Sequence, residues 1–142
     1  MSDKYDSLKL SNQLCFPLYA ASKEIVRRYK PFLDELDLTY TQYIVMLVLW
    51  EHERLNVKEL GKYLYLDSGT LTPLLKKLED KGYIKRSRDL EDERNVLVSL
   101  TKEGIALRDK ALKVPEGMAG CVNLTPEEAA VMYKLLYNIL DD

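Results

Sequence analysis

Two residues near the start of the chain have the side chains and the spacing for redox chemistry. Tyr19 follows Cys15 by four positions, so on a helix the thiol and the phenol share one face, one turn apart. A thiol reacts as its thiolate, and nearby hydroxyl donors stabilise that anion. The pair therefore predicts a reactive thiol, whereas the common alternative is a free cysteine buried as a small apolar side chain.

Cys121 is the other cysteine of the chain. Two cysteines far apart in the sequence, with His52 as the single histidine, are too few for a zinc site and do not form the framework of a disulfide-rich domain. A bond between Cys15 and Cys121 would therefore be transient. The sequence predicts neither a metal nor a cofactor.

Composition and charge indicate one compact domain with a DNA-binding surface. The chain has 142 residues, of which 46% are hydrophobic, and it lacks both the run of about 18 apolar residues that spans a membrane and a signal peptide. We therefore expect a cytoplasmic protein. The net charge is −2, but residues 58–88 hold eight basic side chains against four acidic ones. One cationic patch on an acidic body is typical of a protein that docks on DNA.

Apolar periodicity and capping residues predict the first two helices. Apolar residues recur at intervals of three and four over residues 7–30, which indicates an amphipathic helix that contains Pro17 and ends at Pro31. Thr39 and Gln42 have the spacing of a capping box. A second helix should follow them.

Two more short helices and a hairpin should come next. Asn56 can cap a third helix, and Asp67 or Ser68 can cap a fourth that closes at Gly82. Together with the second helix they predict a helix-turn-helix. Residues 84–100 then alternate in polarity around a polar tip, which predicts a two-stranded wing.

The C-terminal part of the chain should be helical on both sides of a break. Thr101 can cap a fifth helix to about Lys113, and Thr125 can cap a last helix with proline at its first position. Pro115, Gly117 and Gly120 should break the pattern between them. Cys121 would lie in that irregular segment.

The fourth helix has one face for the core and one for DNA. Its leucines share one side, whereas the other side carries small polar residues and two lysines. Such a face suits a major groove, where Thr and Lys reach base edges or phosphates. A solvated face is the alternative, but the basic wing that follows favours DNA, with Arg94 at its tip placed to enter a minor groove.

Residues 67–75 (DSGTLTPLL) and 89–94 (DLEDER) closely resemble the winged helix-turn-helix of MarR-family regulators. Further positions along nearly the whole chain are similar to the organic-hydroperoxide-sensing (OhrR) branch of that family. These positions are Leu14, Cys15, Phe16, Tyr19, Tyr29, Pro31, Tyr40, Gln42, Leu49, Trp50 and Glu51.

The resemblance implies a mainly α fold with a small β-hairpin wing, and a homodimeric repressor that releases a palindromic operator on oxidation. Within a single domain of residues 1–142, about 37–100 would form the winged helix-turn-helix, and about 1–36 and 101–142 the helical dimerisation region. An enzyme is not expected. The residues expected at the DNA are Asp67, Ser68, Gly69, Thr70, Thr72, Pro73, Lys76, Lys77, Arg86, Arg88 and Arg94.

Tyr29 connects the thiol site to a second subunit. Cys15 and Tyr29 point to nearly the same side of the first helix, but at 1.5 Å per residue they stand about 21 Å apart, beyond side-chain reach. Two copies of this helix packed antiparallel about a two-fold axis would bring them together. The resemblance implies that arrangement, with Tyr29 and Tyr40 of the partner subunit hydrogen-bonded to the Cys15 sulfur and Tyr19 nearby.

The expected chemistry is oxidation of the Cys15 thiolate by an organic hydroperoxide to a sulfenic acid. We favour Cys121 of the partner subunit as the thiol that then forms a disulfide, because its glycine- and proline-rich segment can move. A small cellular thiol in that role, or a spectator Cys121, remains an alternative. Other functions are a MarR-type or global regulator gated by a small apolar or phenolic ligand and, much less favoured without a Cys-x-x-Cys pair, a thiol peroxidase.

Overall fold

The computed structural model describes residues 3–92 and 94–141. Glu93, in the predicted wing tip, lies outside them, as do residues 1–2 and 142 of the predicted domain. The described helices are α1 (Cys15–Asp34), α2 (Tyr40–His52), α3 (Val57–Leu64), α4 (Ser68–Asp80), α5 (Lys102–Ala111), α6 (Lys113–Met118) and α7 (Pro126–Leu140), and the strands are β1 (Arg54–Asn56), β2 (Ile84–Arg88) and β3 (Val96–Leu100).

The small sheet confirms the predicted wing and adds a strand to it. β2 and β3 pair antiparallel, with Ile84 opposite Leu100. β1 pairs with the other edge of β3, so the strand order is β1-β3-β2. The sequence analysis missed β1, because three residues are too few to show an alternating pattern. The mainly α fold with a small hairpin wing is confirmed.

The first helix begins later than predicted. Residues Asp6–Leu8 and Leu10–Asn12 form two 3₁₀ turns, and α1 starts only at Cys15. The Gln13 amide closes this segment by donating to the Ser7 carbonyl at 2.8 Å. Pro17 is therefore the third residue of α1, where its missing N–H would have had no helical partner, and it does not kink the helix.

α1 also continues past the residue predicted to end it. Pro31 lies inside the helix, which runs to Asp34. A proline at this point removes one backbone hydrogen bond to the carbonyl four residues earlier. Packing of the following residues outweighs that loss, because Leu33 is buried in the core.

The helix starts that were predicted from capping residues agree with the structure. Thr39, Asn56 and Thr125 each cap a helix through a complete capping box. Gly82 ends the α4 turn with a φ of 85°, a conformation that favours glycine. These boundaries depend on a few neighbouring residues, which is why the sequence specifies them.

The predicted break around Cys121 is confirmed at Gly120 but wrong at Pro115 and Gly117, because the helical run ends only at Met118. α5 ends at Ala111, Leu112 keeps helical φ and ψ angles, and α6 follows at once. Pro115 is tolerated because it occupies the first turn of α6. Gly117 is required by packing, because a Cβ there would approach a Phe32 ring carbon of α1 to 2.2 Å.

The core lies where α2 and α4 pack against each other and against the sheet. Trp50 at its edge donates from Nε1 to the Gly104 carbonyl at 2.8 Å and so ties α2 to α5. Among the described residues, no helix is both long and apolar enough to cross a membrane. The most deeply buried large side chains are Leu33, Met46, Leu49, Leu60, Leu71, Leu75, Leu78, Ile84, Val45, Val98 and Val114.

Candidate functional site

A groove of about 890 Å³ runs between α3, the start of α4 and the wing. Its floor is apolar, with Leu66, Leu75 and Val96, and its rim carries basic side chains. Its lining comes from the helix-turn-helix and from the wing. The basic residues that line it are Lys58, Lys62, Arg86 and Arg94.

α4 turns the predicted face towards solvent. Leu71, Leu75 and Leu78 are buried on its other side. Lys76 and Lys77 are exposed, and so are Gly69, Thr70, Thr72 and Pro73. A nucleic acid could therefore reach this face without any rearrangement of the core.

Asp67 stabilises the start of α4. Its carboxylate accepts a hydrogen bond from the Thr70 N–H at 2.7 Å, and the hydrogen bonds from Thr70 lower the pKa of this carboxyl. The Thr72 hydroxyl donates to the Ser68 carbonyl at 2.8 Å. Asp67 and Ser68 therefore stabilise the N-terminal turn of α4, which carries several of the predicted DNA-facing residues.

Arg86 joins the wing to α4. Its backbone N–H donates to Glu79 Oε2 at 2.9 Å and its guanidinium to Glu79 Oε1 at 3.1 Å. These hydrogen bonds, the backbone one first, lower the pKa of the Glu79 carboxyl. The pair sets the position of the wing relative to α4.

Arg94 differs from Arg86 in its exposure. Its side chain is 93% exposed, and its Nε lies 3.5 Å from Asp92 at the wing tip. Arg88 is also exposed. The tip therefore presents an exposed cationic group to solvent, as minor-groove insertion would require.

Cys15 is the first residue of α1 and is exposed. Within the described residues, no hydrogen bond reaches its sulfur. Tyr19 is 60% exposed, and its ring is covered by the Lys23 ammonium 5.3 Å from the centroid. Within one chain the structure thus leaves the predicted thiol open and does not place Tyr19 against it.

Tyr29, Tyr40 and Tyr43 form a tyrosine cluster between α1 and α2. The ring centroids of Tyr29 and Tyr40 are 4.9 Å apart, and those of Tyr29 and Tyr43 are 5.9 Å apart. Burial raises the pKa of all three phenols, with smaller contributions from their neighbours at Tyr40 and Tyr43. These hydroxyls therefore stay protonated at neutral pH and can donate hydrogen bonds.

Cys121 is tied to α1 through its backbone. The Arg28 guanidinium donates to the Cys121 carbonyl at 2.8 Å, and Glu24 holds Arg28 through a 3.2 Å bond. Hydrogen bonds from Arg27 and Arg28 lower the pKa of Glu24 to about 2. The Cys121 backbone is therefore tied to the turn of α1 that directly precedes Tyr29.

A large apolar surface is left uncovered in the single chain. None of the residues of α7, all of which are described, is buried. At the start of α1, Leu14 is 88% exposed. The other exposed apolar side chains on these two helices are Phe16, Leu18, Tyr19, Val26, Val131, Met132, Tyr133, Leu135, Tyr137, Ile139 and Leu140.

Comparison with known proteins accounts for this combination of features. Residues 27–111 match the family model described as transcriptional regulator SarA/Rot. The organic hydroperoxide resistance transcriptional regulator of Bacillus subtilis is 50% identical over 99% of this chain and 96% of its own length. The chain belongs to the MarR/SarA family. The HTH-type transcriptional regulator SarZ of Staphylococcus aureus is 46% identical to this MarR/SarA regulator over 92% of the chain and 88% of SarZ.

Solved structures of relatives include DNA complexes. Reduced AbfR bound to DNA superposes on this MarR/SarA regulator with a TM-score of 0.79, at 34% identity over 98% of both chains. Disulfide-formed AbfR superposes with a TM-score of 0.67 at the same identity over 96% of both; AbfR comes from Staphylococcus epidermidis. The predictions of a DNA-binding transcriptional regulator, and of a protein that is not an enzyme, are confirmed.

Sequence reasoning missed several residues of this MarR/SarA regulator that the structure brings to the two sites. Lys58 and Lys62, which the sequence analysis counted only within the cationic segment 58–88, line the groove, and their spacing of four residues on a helix could have indicated a shared face. Tyr43 joins the tyrosine cluster. Arg28 gives no signal in the sequence, because its partner Cys121 is 93 positions away.

Proposed function

We propose that the protein is a homodimeric cytoplasmic repressor that releases a palindromic operator when an organic hydroperoxide oxidises Cys15. The observation that carries this proposal is the tyrosine cluster. Its partly buried phenols remain hydrogen-bond donors, yet Tyr29 stands about four helical turns from the thiol of its own chain. A second chain would supply the missing sulfur.

The uncovered apolar surface supports the dimer. In isolation, α7 and the start of α1 expose many large apolar side chains, more than a stable monomer leaves in one region. Antiparallel packing of two α1 helices about a two-fold axis would cover the start of α1 and place Cys15 beside Tyr29 and Tyr40 of the partner subunit. Residues 1–36 and 101–142 then form the dimerisation region, and residues 37–100 the winged helix-turn-helix.

The proposed reaction is stoichiometric. The Cys15 thiolate attacks the distal oxygen of the hydroperoxide, the O–O bond breaks, and the alkoxide takes up a proton to leave as an alcohol. The sulfur is oxidised to a sulfenic acid and the peroxide is reduced. The phenols of Tyr29 and Tyr40 would stabilise the thiolate by hydrogen bonds, with Tyr19 nearby.

Cys121 is the proposed resolving thiol. Because Arg28 ties the Cys121 backbone to the turn of α1 before Tyr29, we expect the packing that brings Cys15 to the tyrosine cluster of the partner to bring it towards Cys121 of the partner as well. Attack of the Cys121 sulfur on the sulfenic acid would form a disulfide and release water. The Cys121 S–H donates to the Gly117 carbonyl at 3.4 Å, so that bond must break first.

Oxidation would act on DNA through geometry. The predicted DNA-binding residues, among them Lys76 and Arg94, lie on elements separate from Cys15. A new covalent bond across the dimer would rotate the two winged modules and change their spacing, which must match about one turn of DNA between half-sites. Operator affinity would then fall.

A mobility-shift experiment on the promoter upstream of the gene tests the proposal. Reduced protein should bind, a slight excess of cumene hydroperoxide should release it, and dithiothreitol should restore binding. Cys15→Ser should bind in both conditions. A Cys15→Ser protein that still dissociates on adding peroxide would contradict the proposal, and release of that variant by a phenolic ligand alone would indicate a ligand-gated regulator.

A further inference from the structure

Lys81 is attached to the end of α4 through its backbone. Its N–H donates to the Lys77 carbonyl at 3.0 Å, and Gly82 then donates to the Glu79 carbonyl at 2.9 Å. Both bonds belong to the closing turn of the helix. Any displacement of Lys81 is therefore a displacement of the end of α4.

The side chain of Lys81 reaches the corner between α1 and α2. Its ammonium donates to the Asp37 carbonyl and to Gln42 Oε1 at 3.1 Å, and it lies 3.7 Å from the Asp37 carboxylate. The side chain is only 27% exposed. Its donors are thus engaged by the corner, although its charge belongs to the basic segment of residues 58–88.

Gln42 connects this contact to the tyrosine cluster. It is 3% exposed and is the buried polar side chain among the described residues. The oxygen that accepts from Lys81 also accepts from the Thr39 N–H at 3.1 Å and closes the capping box of α2. Tyr40 lies between Thr39 and Gln42, as the first residue of α2.

We propose that Lys81 is a positioning residue that transmits the placement of Tyr40 to α4. A shift of Tyr40 moves the first turn of α2 and with it the Gln42 oxygen, and the ammonium carries that shift to the end of α4. Charge-assisted hydrogen bonds in a partly buried site are strong enough for this role. In its oxidation arm the inference rests on the proposed function, whereas its reduced-protein arm does not.

The reduced-protein arm is a double-mutant cycle on operator affinity at fixed salt. Tyr40→Ala is measured in the wild-type, Lys81→Met and Lys110→Met backgrounds; Lys110 is an exposed lysine of α5 and serves as the control. If Lys81 transmits the position of Tyr40, the effect of Tyr40→Ala should differ between the wild-type and Lys81→Met backgrounds by about fivefold or more. In the Lys110→Met background the effect of Tyr40→Ala should equal that in the wild type. In a Lys81→Arg background most of that wild-type effect should return.

The salt dependence of binding separates positioning from direct contact. Loss of a phosphate contact lowers the slope of log affinity against log salt by about one, so Lys81→Met should leave that slope unchanged. A slope lowered by about one, or additive effects in the cycle, would overturn the inference. If Lys81→Met does not fold, Lys81→Gln provides the same measurement.

The oxidation arm distinguishes failure of this inference from failure of the proposed function. Peroxide should weaken operator binding by wild-type protein, and the fold-loss should shrink towards one in Lys81→Met. If peroxide does not change the operator affinity of the wild-type protein, the proposed function is contradicted. The double-mutant cycle on reduced protein then tests the role of Lys81 by itself. A responsive wild type with an equally responsive Lys81→Met would overturn the inference.

Discussion

The rings of Tyr29 and Tyr40 lie with their centroids 4.9 Å apart, although one belongs to the end of α1 and the other to the first turn of α2. The corner between these helices brings them together, because the Leu38 N–H donates back to the Leu33 carbonyl at 3.1 Å. The two phenols thus share one position, about four helical turns along α1 from the thiol of their own chain.

Removing one phenol should slow oxidation of the thiol. Tyr40→Phe keeps the ring and its packing but loses the donor, and a hydrogen bond to an anion is worth enough for a loss of about tenfold in the rate of sulfenic acid formation. A sulfenic-acid trapping reagent followed by mass spectrometry measures that rate. Tyr63→Phe is the matched control, because Tyr63 is an exposed tyrosine on α3; equal rates in both variants would exclude Tyr40 from the thiol site.

The tyrosine cluster should make the protein sensitive to alkali. In the folded protein the pKa values of Tyr29, Tyr40 and Tyr43 are raised. In the unfolded chain the pKa of a tyrosine is about 10. Above that pH the unfolded state loses protons first, so the free energy of unfolding should fall as pH rises. Replacing all three by phenylalanine should flatten this decline in denaturant titrations; an identical decline would show that other groups cause it.

Gly117→Ala should disturb disulfide formation without affecting the first oxidation. The new methyl group would collide with Phe32 and push α6 and Cys121 away from α1, at a cost in stability of about 1–3 kcal/mol. Non-reducing gels after peroxide treatment should show slower crosslinking at an unchanged rate of sulfenic acid formation.

Gly120→Ala is the control for that experiment. No atom lies within 4 Å of a Cβ built at Gly120, so its crosslinking should match the wild type. Cys121→Ser should abolish the crosslink altogether. A crosslink of the same size in Cys121→Ser would rule out Cys121 as the resolving thiol.

The groove predicts DNA contacts from α3 as well as α4. Lys58→Ala and Lys76→Ala should each reduce the slope of log affinity against log salt by about one if each lysine neutralises a phosphate. Lys110→Ala on α5 should leave the slope unchanged. Fluorescence anisotropy over a range of salt concentrations measures all three, and an unchanged slope for Lys58→Ala would confine the contact surface to α4 and the wing.

The sequence predicted those parts of the fold that depend on neighbouring residues. The capping boxes at Thr39, Asn56 and Thr125 specify helix starts through side chains three positions apart. The four leucines of α4 specify its buried side in the same local way. Because the leucines determine which side of α4 is buried, they also determine which side is exposed, and the exposure of the predicted DNA-binding face could therefore be predicted as well.

Features that depend on distant residues escaped prediction. Pro31 looks like a helix end, but Leu33 is buried on the far side of it and keeps the helix going. Gly117 looks like a break, but the ring of Phe32 requires a small residue there. The contact of Lys81 with Gln42 spans 39 positions, and no periodicity in the sequence points to it.

Because none of the residues of α7 is buried in the single chain, the stability of the protein should depend on its concentration. If a second copy covers α7, the melting temperature should fall when the protein is diluted and rise when it is concentrated. Mass action links the melting temperature to the total protein concentration. In a cell that makes only a few copies, the concentration of this regulator would then be close to the value at which its dimer dissociates.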